Sequence, residues 1–139
     1  MVRLEKTAGA DTDIAFAAAG EALWWAIVLD HYFEQQADLP NYRARRDADP
    51  RGELLRGVRY ARNAVGHHVA AVELVEGRDI YTGTYSDIYG EWCWRPLKSK
   101  AVGRDTYNHR MEGRAARETL RELMPFFEQI VREIEEPSL

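Results

Sequence analysis

The run Asp49-Pro50-Arg51-Gly52-Glu53-Leu54-Leu55-Arg56-Gly57-Val58-Arg59-Tyr60-Ala61-Arg62-Asn63-Ala64-Val65-Gly66-His67-His68 decides how this chain is read. Asp49 is a good N-cap residue, and Pro50 suits the first helical position, where its missing N–H would be unpaired anyway. Leu54, Val58, Ala61, Val65, Val69 and Val72 step by three or four residues, the spacing of one buried helical face. The pattern predicts an amphipathic helix over about 50–76. Gly66 weakens that helix and marks either a break or a close backbone crossing.

Upstream, Asp11, Thr12 and Asp13 offer N-caps for a long helix reaching about Gln36. Its apolar positions include Ile14, Ala17, Ala18, Leu23, Trp24, Ile27, Val28, Tyr32 and Phe33, a wide stripe in which Trp24-Trp25 is predicted to fill much of the core. Residues 1–10 read as a frayed lead-in. Residues 37–49 are mostly polar, contain Pro40, Arg43, Arg45 and Arg46, and predict a connecting loop. Downstream, Ile80-Tyr81-Thr82-Gly83-Thr84-Tyr85 and Glu91-Trp92-Cys93-Trp94 are rich in strand formers, with a turn over 86–90 and Pro96 as a stop. A polar loop is expected over 98–105. Helical spacing returns from Met111 with Ala115, Leu120, Leu123, Phe127, Ile130, Val131 and Ile134; Pro125 should kink this helix or start a new one. The expected fold is mainly α. It is one helical bundle over 1–139, with a small β-hairpin insertion (77–109) between the second and last long helices.

A chain of 139 residues is the size of one ordinary domain, and 45% apolar with 30% charged residues is a globular composition. The formal charge of −4, from 19 basic and 23 acidic residues, excludes a general nucleic-acid coat, so any RNA contact must come from a local basic patch. The one cysteine, Cys93, excludes an internal disulfide framework and a cysteine metal cluster, and it suits a reducing compartment. The N-terminus lacks the layout of a signal peptide, and the apolar stretch over 22–29 is too short to cross a bilayer. A soluble, cytoplasmic protein without membrane contact is expected.

Arg62, Asn63 and His67 fall within about two turns of the second helix. Arginine is a fixed cation that holds phosphate, and histidine moves protons near neutral pH. Together they suffice to cut RNA without a metal: the 2′-hydroxyl is deprotonated, the phosphate held and the leaving oxygen protonated. At about 100° per residue, Asn63 and His67 share a side that faces away from the apolar stripe. Arg62 falls near the edge of that stripe, roughly 140° from His67. A helix break near Gly66 would bring the groups together. So would a two-fold pair of chains, lining one cleft with two arginines and two histidines.

Arg-Asn, three further residues and a His, late in an amphipathic helix of a small helical domain, resembles the motif of the HEPN superfamily. The resemblance is sharp over 62–67 and general over about 11–76 and 111–136; the hairpin segment lies outside it. It implies a helical bundle and a homodimer with paired motifs at the interface. It also implies a metal-independent endoribonuclease of the kind found among toxins, antiphage systems and CRISPR effectors. By motif position Arg62 and His67 would be catalytic and Asn63 the polar residue after the arginine. The implied reaction is attack of a ribose 2′-OH on its own phosphate, giving a cyclic phosphate and a 5′-OH. His67 would serve as general acid or base, Arg62 would hold the phosphate, and Asn63 would position His67 or the sugar. His68 could replace or support His67, and Arg59 is a further auxiliary candidate. No cofactor and no metal is implied. The implied partners are an RNA substrate, a second copy, and an antitoxin or defence-system protein. Val69 stands where HEPN toxins paired with a nucleotidyltransferase antitoxin carry Tyr, which argues against that antitoxin. The alternative is a catalytically silent HEPN-like module that binds RNA or protein; an ordinary helical interaction protein with an accidental motif is the third reading.

Each of these residues also has an ordinary use. Arg62 suits a snorkelling role, and His67 and His68 suit the negative end of a helix dipole. As metal ligands His67 and His68 are poor, because adjacent helical residues point about 100° apart. Asp105 and His109 have helical spacing but sit at a loop boundary, where capping by Asp105 or Thr106 is expected. Trp92 and Trp94 share one side of a strand and either pack the hairpin onto the bundle or stack RNA bases, worth about 1–3 kcal/mol per base. Arg43, Arg45 and Arg46 either hold an RNA backbone or are simply solvated. Asp30 and Glu34 are candidate ion-pair partners for Arg62 or Arg59.

Overall fold

The helix expected to organise the chain forms at Pro50–Gly66 (α3), and Asp49 caps it by accepting from the Arg51 backbone N–H at 2.9 Å. In the computed structural model, which describes residues 12–36, 39–67, 71–75 and 91–135, α3 is preceded by α1 (Thr12–Glu34) and α2 (Tyr42–Ala48). It is followed by β1 (Val72–Val75), β2 (Glu91–Trp94), α4 (Arg104–Arg110) and α5 (Ala116–Glu135). The chain is mainly helical, with a small two-stranded antiparallel sheet between the second and last long helices. The expected lead-in over 1–10, the strand over 80–85, the turn over 86–90, His68 and Val69 lie outside the described residues.

Helix α3 touches α1, α2, α4 and α5. It therefore buries more than one stripe: Leu54, Val58 and Ala61 are joined in the core by Leu55 and Tyr60. Gly52 permits a close approach of α2, because a Cβ there would stand 2.5 Å from the carbonyl oxygen of Arg46.

Several local expectations are corrected. Residues 42–48 form α2 within the stretch expected to be a loop. α3 stops at Gly66 instead of running to about residue 76, and Val72–Val75 becomes a strand. Val-Glu-Leu-Val fits both periods, and a partner decides it: Val72 pairs with Trp94 and Val75 with Glu91. Nothing lies within 4 Å of where a Gly66 Cβ would be, so Gly66 ends the helix and makes no close crossing. α4 begins inside the polar segment with Gly103 as N-cap, which leaves Asp105 and Thr106 inside the helix. α5 continues through Pro125 as one helix. Pro125 and Arg121, whose carbonyl loses its helical donor, are both exposed, so water can supply the missing bond.

The largest correction concerns α1. Trp24 and Trp25, expected in the core, are 47% and 53% exposed, and Tyr32 is also exposed. Apolar residues surround α1 almost completely, so its sequence does not mark an inward side. The buried positions are Ala18, Ala19, Leu23, Ala26 and Phe33, together with a fully buried carboxylate, Asp30.

Asp30 holds three elements together. Its oxygens accept from the Tyr42 hydroxyl at 2.7 Å and from Arg46 Nη1 at 3.1 Å, both on α2. Arg59 of α3 donates to Oδ2 through Nη2. Glu34, one turn along α1, also accepts from Arg46 Nη1. Burial, reinforced by the bond to Asp30, pushes the Tyr42 hydroxyl well above its ordinary pKa, so it remains a donor. Burial alone would lower the pKa of Arg46, but its bonds to Asp47, Asp30 and Glu34 outweigh this and raise it. Removing the carboxylate leaves the buried Tyr42 hydroxyl unpaired and takes an ion-pair partner from both Arg46 and Arg59, so Asp30→Ala should destabilise the fold by about 3–5 kcal/mol in urea titration. Arg43→Ala removes an exposed cation 3.6 Å from Glu34 and should cost less than about 1 kcal/mol. Similar costs for the two variants would contradict this account.

A second set of charges links α2 to α5. Arg45 donates to both oxygens of Glu133, and this holds the Glu133 carboxyl below its ordinary pKa. Arg51 lowers Asp49 in the same way. A carboxylate depressed in the folded state stabilises it fully above the unfolded value of about 4, and that contribution disappears as pH falls through the lower folded value. Glu133→Gln should therefore lower the urea midpoint at pH 7 and narrow the gap between pH 7 and pH 3. An unchanged gap would remove Glu133 from the acid response.

Candidate functional site

Arg62, Asn63 and His67 are all exposed. His67 is the C-cap of α3, and its N–H is shared between the carbonyls of Asn63 at 3.2 Å and Ala64 at 3.1 Å. The helix thus ends within the motif, at Gly66, with His67 as its cap. Asn63 and His67 line one groove, and Arg62 is not among its lining residues. The expected helix break near Gly66 is present, but it leaves Arg62 outside that groove.

Asn63 and His67 open on a groove of about 430 Å³ whose facing wall is the segment 95–101, including Arg95, Leu97, Lys98 and Ser99. Arg62 does not line it. Sequence reasoning read this wall only as a polar loop, but its backbone is tied down. The Tyr60 hydroxyl donates to the carbonyls of Ser99 and, at 3.3 Å, Leu97. The Tyr107 hydroxyl donates to the carbonyl of Arg95, and burial keeps it protonated by raising its pKa. The Arg95 N–H donates to Ala71 at 2.9 Å, and the Leu97 side chain is buried. Gly103 closes the segment at φ +95°, with its Cα so near α3 that a Cβ would stand 2.2 Å from the Arg56 carbonyl oxygen. The legible signal was the run of cations over 95–104, which no acid interrupts.

The other predicted site residues divide by whether their charge is already used. Arg59 is engaged by Asp30, so the ion-pair partner of Asp30 is Arg59 and not Arg62. Arg45 pairs with Glu133, Arg46 with Asp30, Glu34 and Asp47, and Arg43 lies 3.6 Å from Glu34. These three arginines join elements of the fold; they do not form an open RNA patch. Among the described residues, Arg62, Arg95, Lys98, Lys100 and Arg104 have no carboxylate partner, and neither do Arg114 and Arg132 elsewhere on the surface. Trp92 and Trp94 are 3% and 1% exposed, so neither can stack on a base. Trp94 Nε1 donates to Thr119 Oγ1 at 2.8 Å, and β2 is closed on its other edge by the bridge from Cys93 to Ala115. His109 Nδ1 lies 2.8 Å from the Asp105 carbonyl, a local contact within α4. Among the described residues, no three His, Cys, Asp or Glu side chains gather as a metal site.

A second concavity of about 310 Å³ lies between α1 and α5, lined by Trp25, Leu29, Leu123 and Phe127. Among the described residues its wall carries one charged side chain, Glu21, which gives it no acid–base pair. No protein-family model, curated protein or solved structure matches the chain. No helix among the described residues is long and apolar enough to cross a membrane.

Because Arg62 and His67 are exposed and make no packing contribution to the core, Arg62→Ala and His67→Ala should each shift stability by less than about 0.5 kcal/mol. Trp94→Ala should cost about 3–5 kcal/mol. Urea denaturation of the three variants checks this; a loss at Arg62 or His67 comparable to that at Trp94 would assign the motif to packing.

Proposed function

We propose that this chain is a metal-independent endoribonuclease of the kind its 62–67 motif resembles. The observation that carries the reading is the groove in which His67 and Asn63 face the unpaired cations Arg95 and Lys98. An imidazole beside unneutralised cations suits proton transfer at a phosphodiester. In the proposed reaction the 2′-oxygen loses its proton and bonds to phosphorus, the bond from phosphorus to the 5′-oxygen breaks, and that oxygen takes up a proton. His67 acts as base or acid, Asn63 orients it or the sugar, and Arg62 stabilises charge on the phosphate. Because Arg62 does not line the groove of its own chain, the complete site takes Arg62 from one copy and His67 from another, in a two-fold homodimer.

The test incubates the purified chain with single-stranded RNA in excess chelator. Cyclic-phosphate and 5′-OH ends are expected, and Arg62→Ala and His67→Ala should each slow cutting by about 100-fold or more. Mixing the two inactive variants should restore part of the activity, since a mixed dimer retains one composite site. Cutting that requires a metal, or that survives His67→Ala, would refute the reading. The position of Arg62 outside the groove favours a second reading, a catalytically silent RNA- or protein-binding module; RNA binding without any cleavage would select it.

A further inference from the structure

We infer that the segment 95–104 is a preformed track for the backbone of single-stranded RNA, leading into the groove at His67. The identity of the ligand rests on the ribonuclease reading; the track itself rests on charge and geometry. In a chain of net charge −4, Arg95-Pro96-Leu97-Lys98-Ser99-Lys100-Ala101-Val102-Gly103-Arg104 carries four cations and no acid. The side chains of Arg95, Lys98, Lys100 and Arg104 are exposed, and none has a carboxylate partner among the described residues. The cations of α2, by contrast, are taken by Asp30, Glu34, Asp47 and Glu133.

The track is continuous. Ala101 lines both the His67 groove and a neighbouring one of about 690 Å³ that holds Arg56, Lys100 and Arg104. Asp47 and Asp105 also line the neighbouring groove, whereas among the described residues no acidic side chain lines the His67 groove, where Arg95 and Lys98 stand. The carbonyls of Arg95, Leu97 and Ser99 point inward onto the hydroxyls of Tyr107 and Tyr60. Every second carbonyl is thus anchored, and the cations are presented outward from a fixed backbone. Binding then orders side chains only, which lowers its entropic cost. In-line attack by a 2′-OH needs a backbone free to leave the A-form helix, which selects single-stranded RNA over duplex.

The test measures fluorescence anisotropy of a 2′-O-methylated oligoribonucleotide, which cannot be cut, across a salt series. Each neutralised phosphate contributes about −0.7 to the slope of log affinity against log salt. Lys98→Gln/Lys100→Gln should therefore bind about tenfold more weakly or worse, with a slope shallower by about 1.4. Arg43→Gln/Arg45→Gln removes the same formal charge from α2 and should leave the slope unchanged. Equal affinity of the wild type and the Lys98/Lys100 variant, or an equal loss in the α2 control, overturns the track. Tighter binding to duplex or to anionic vesicles overturns the single-stranded RNA assignment. Cleavage of unmodified RNA by the wild type is scored separately. Cutting with no change in the variant's binding leaves the nuclease standing and removes the track; salt-dependent binding through Lys98 and Lys100 without cutting does the reverse.

Discussion

The fold depends on one carboxylate placed where apolar side chains would be expected. Asp30 is fully buried on the inward side of α1 and meets Tyr42, Arg46 and Arg59 from two other helices. A buried charge is tolerable only when its partners are in place, so the network disfavours packings that part Asp30 from Tyr42, Arg46 and Arg59. It also explains the outward tryptophans. Trp24 lies six residues before Asp30, about 120° away at the helical period, and Trp25 lies about 140° away, so rotating either into the core would carry Asp30 out of it. Burying two indoles would then take the Asp30 carboxylate away from Tyr42, Arg46 and Arg59. An apolar periodicity thus yields to a polar constraint, because an unpaired buried charge costs more than an exposed ring.

The same partition of charge defines the surface. Arginines in α2 are consumed by acids on α1 and α5, and Arg59 by Asp30. Among the described residues, the cations left open are four on the 95–104 segment, Arg62 at the end of α3, and Arg114 and Arg132. Net charge says nothing of this, since it sums paired and unpaired groups alike. Two buried tyrosines from neighbouring helices fix the segment by its carbonyls, which gives an irregular stretch the rigidity usually supplied by a helix or strand. α3 therefore has two roles: its body is packed by four helices, while its last turn emerges into solvent with Asn63 and His67 facing a basic wall.

Much of the architecture was legible in the residues. Asp49-Pro50 and the steps from Leu54 to Ala61 mark α3 because cap chemistry and helical period agree there. The exposure of Asn63 and His67 on one side follows from their spacing of four, and the strand at 91–94 from its aromatic content. Those features are local: each is set by residues within one or two turns of itself. The end of α3 was not legible, because residues 72–75 suit a helix and a strand equally and only pairing with Glu91–Trp94 separates them.

By itself, then, the sequence determined a mainly α chain, the start of its central helix, and Asn63 and His67 on that helix's solvent side, since propensity, caps and period act over short distances. Tertiary structure alone decided which side of α1 faces inward, which arginines are neutralised, that Trp92 and Trp94 are core residues, and that segment 95–104 stands opposite His67. Each of those depends on partners far away in the chain: Asp30 to Arg59, Arg45 to Glu133, Trp94 to Thr119, Tyr60 to Ser99. A charge or an indole carries no mark of its eventual partner; only packing brings the two within bonding distance.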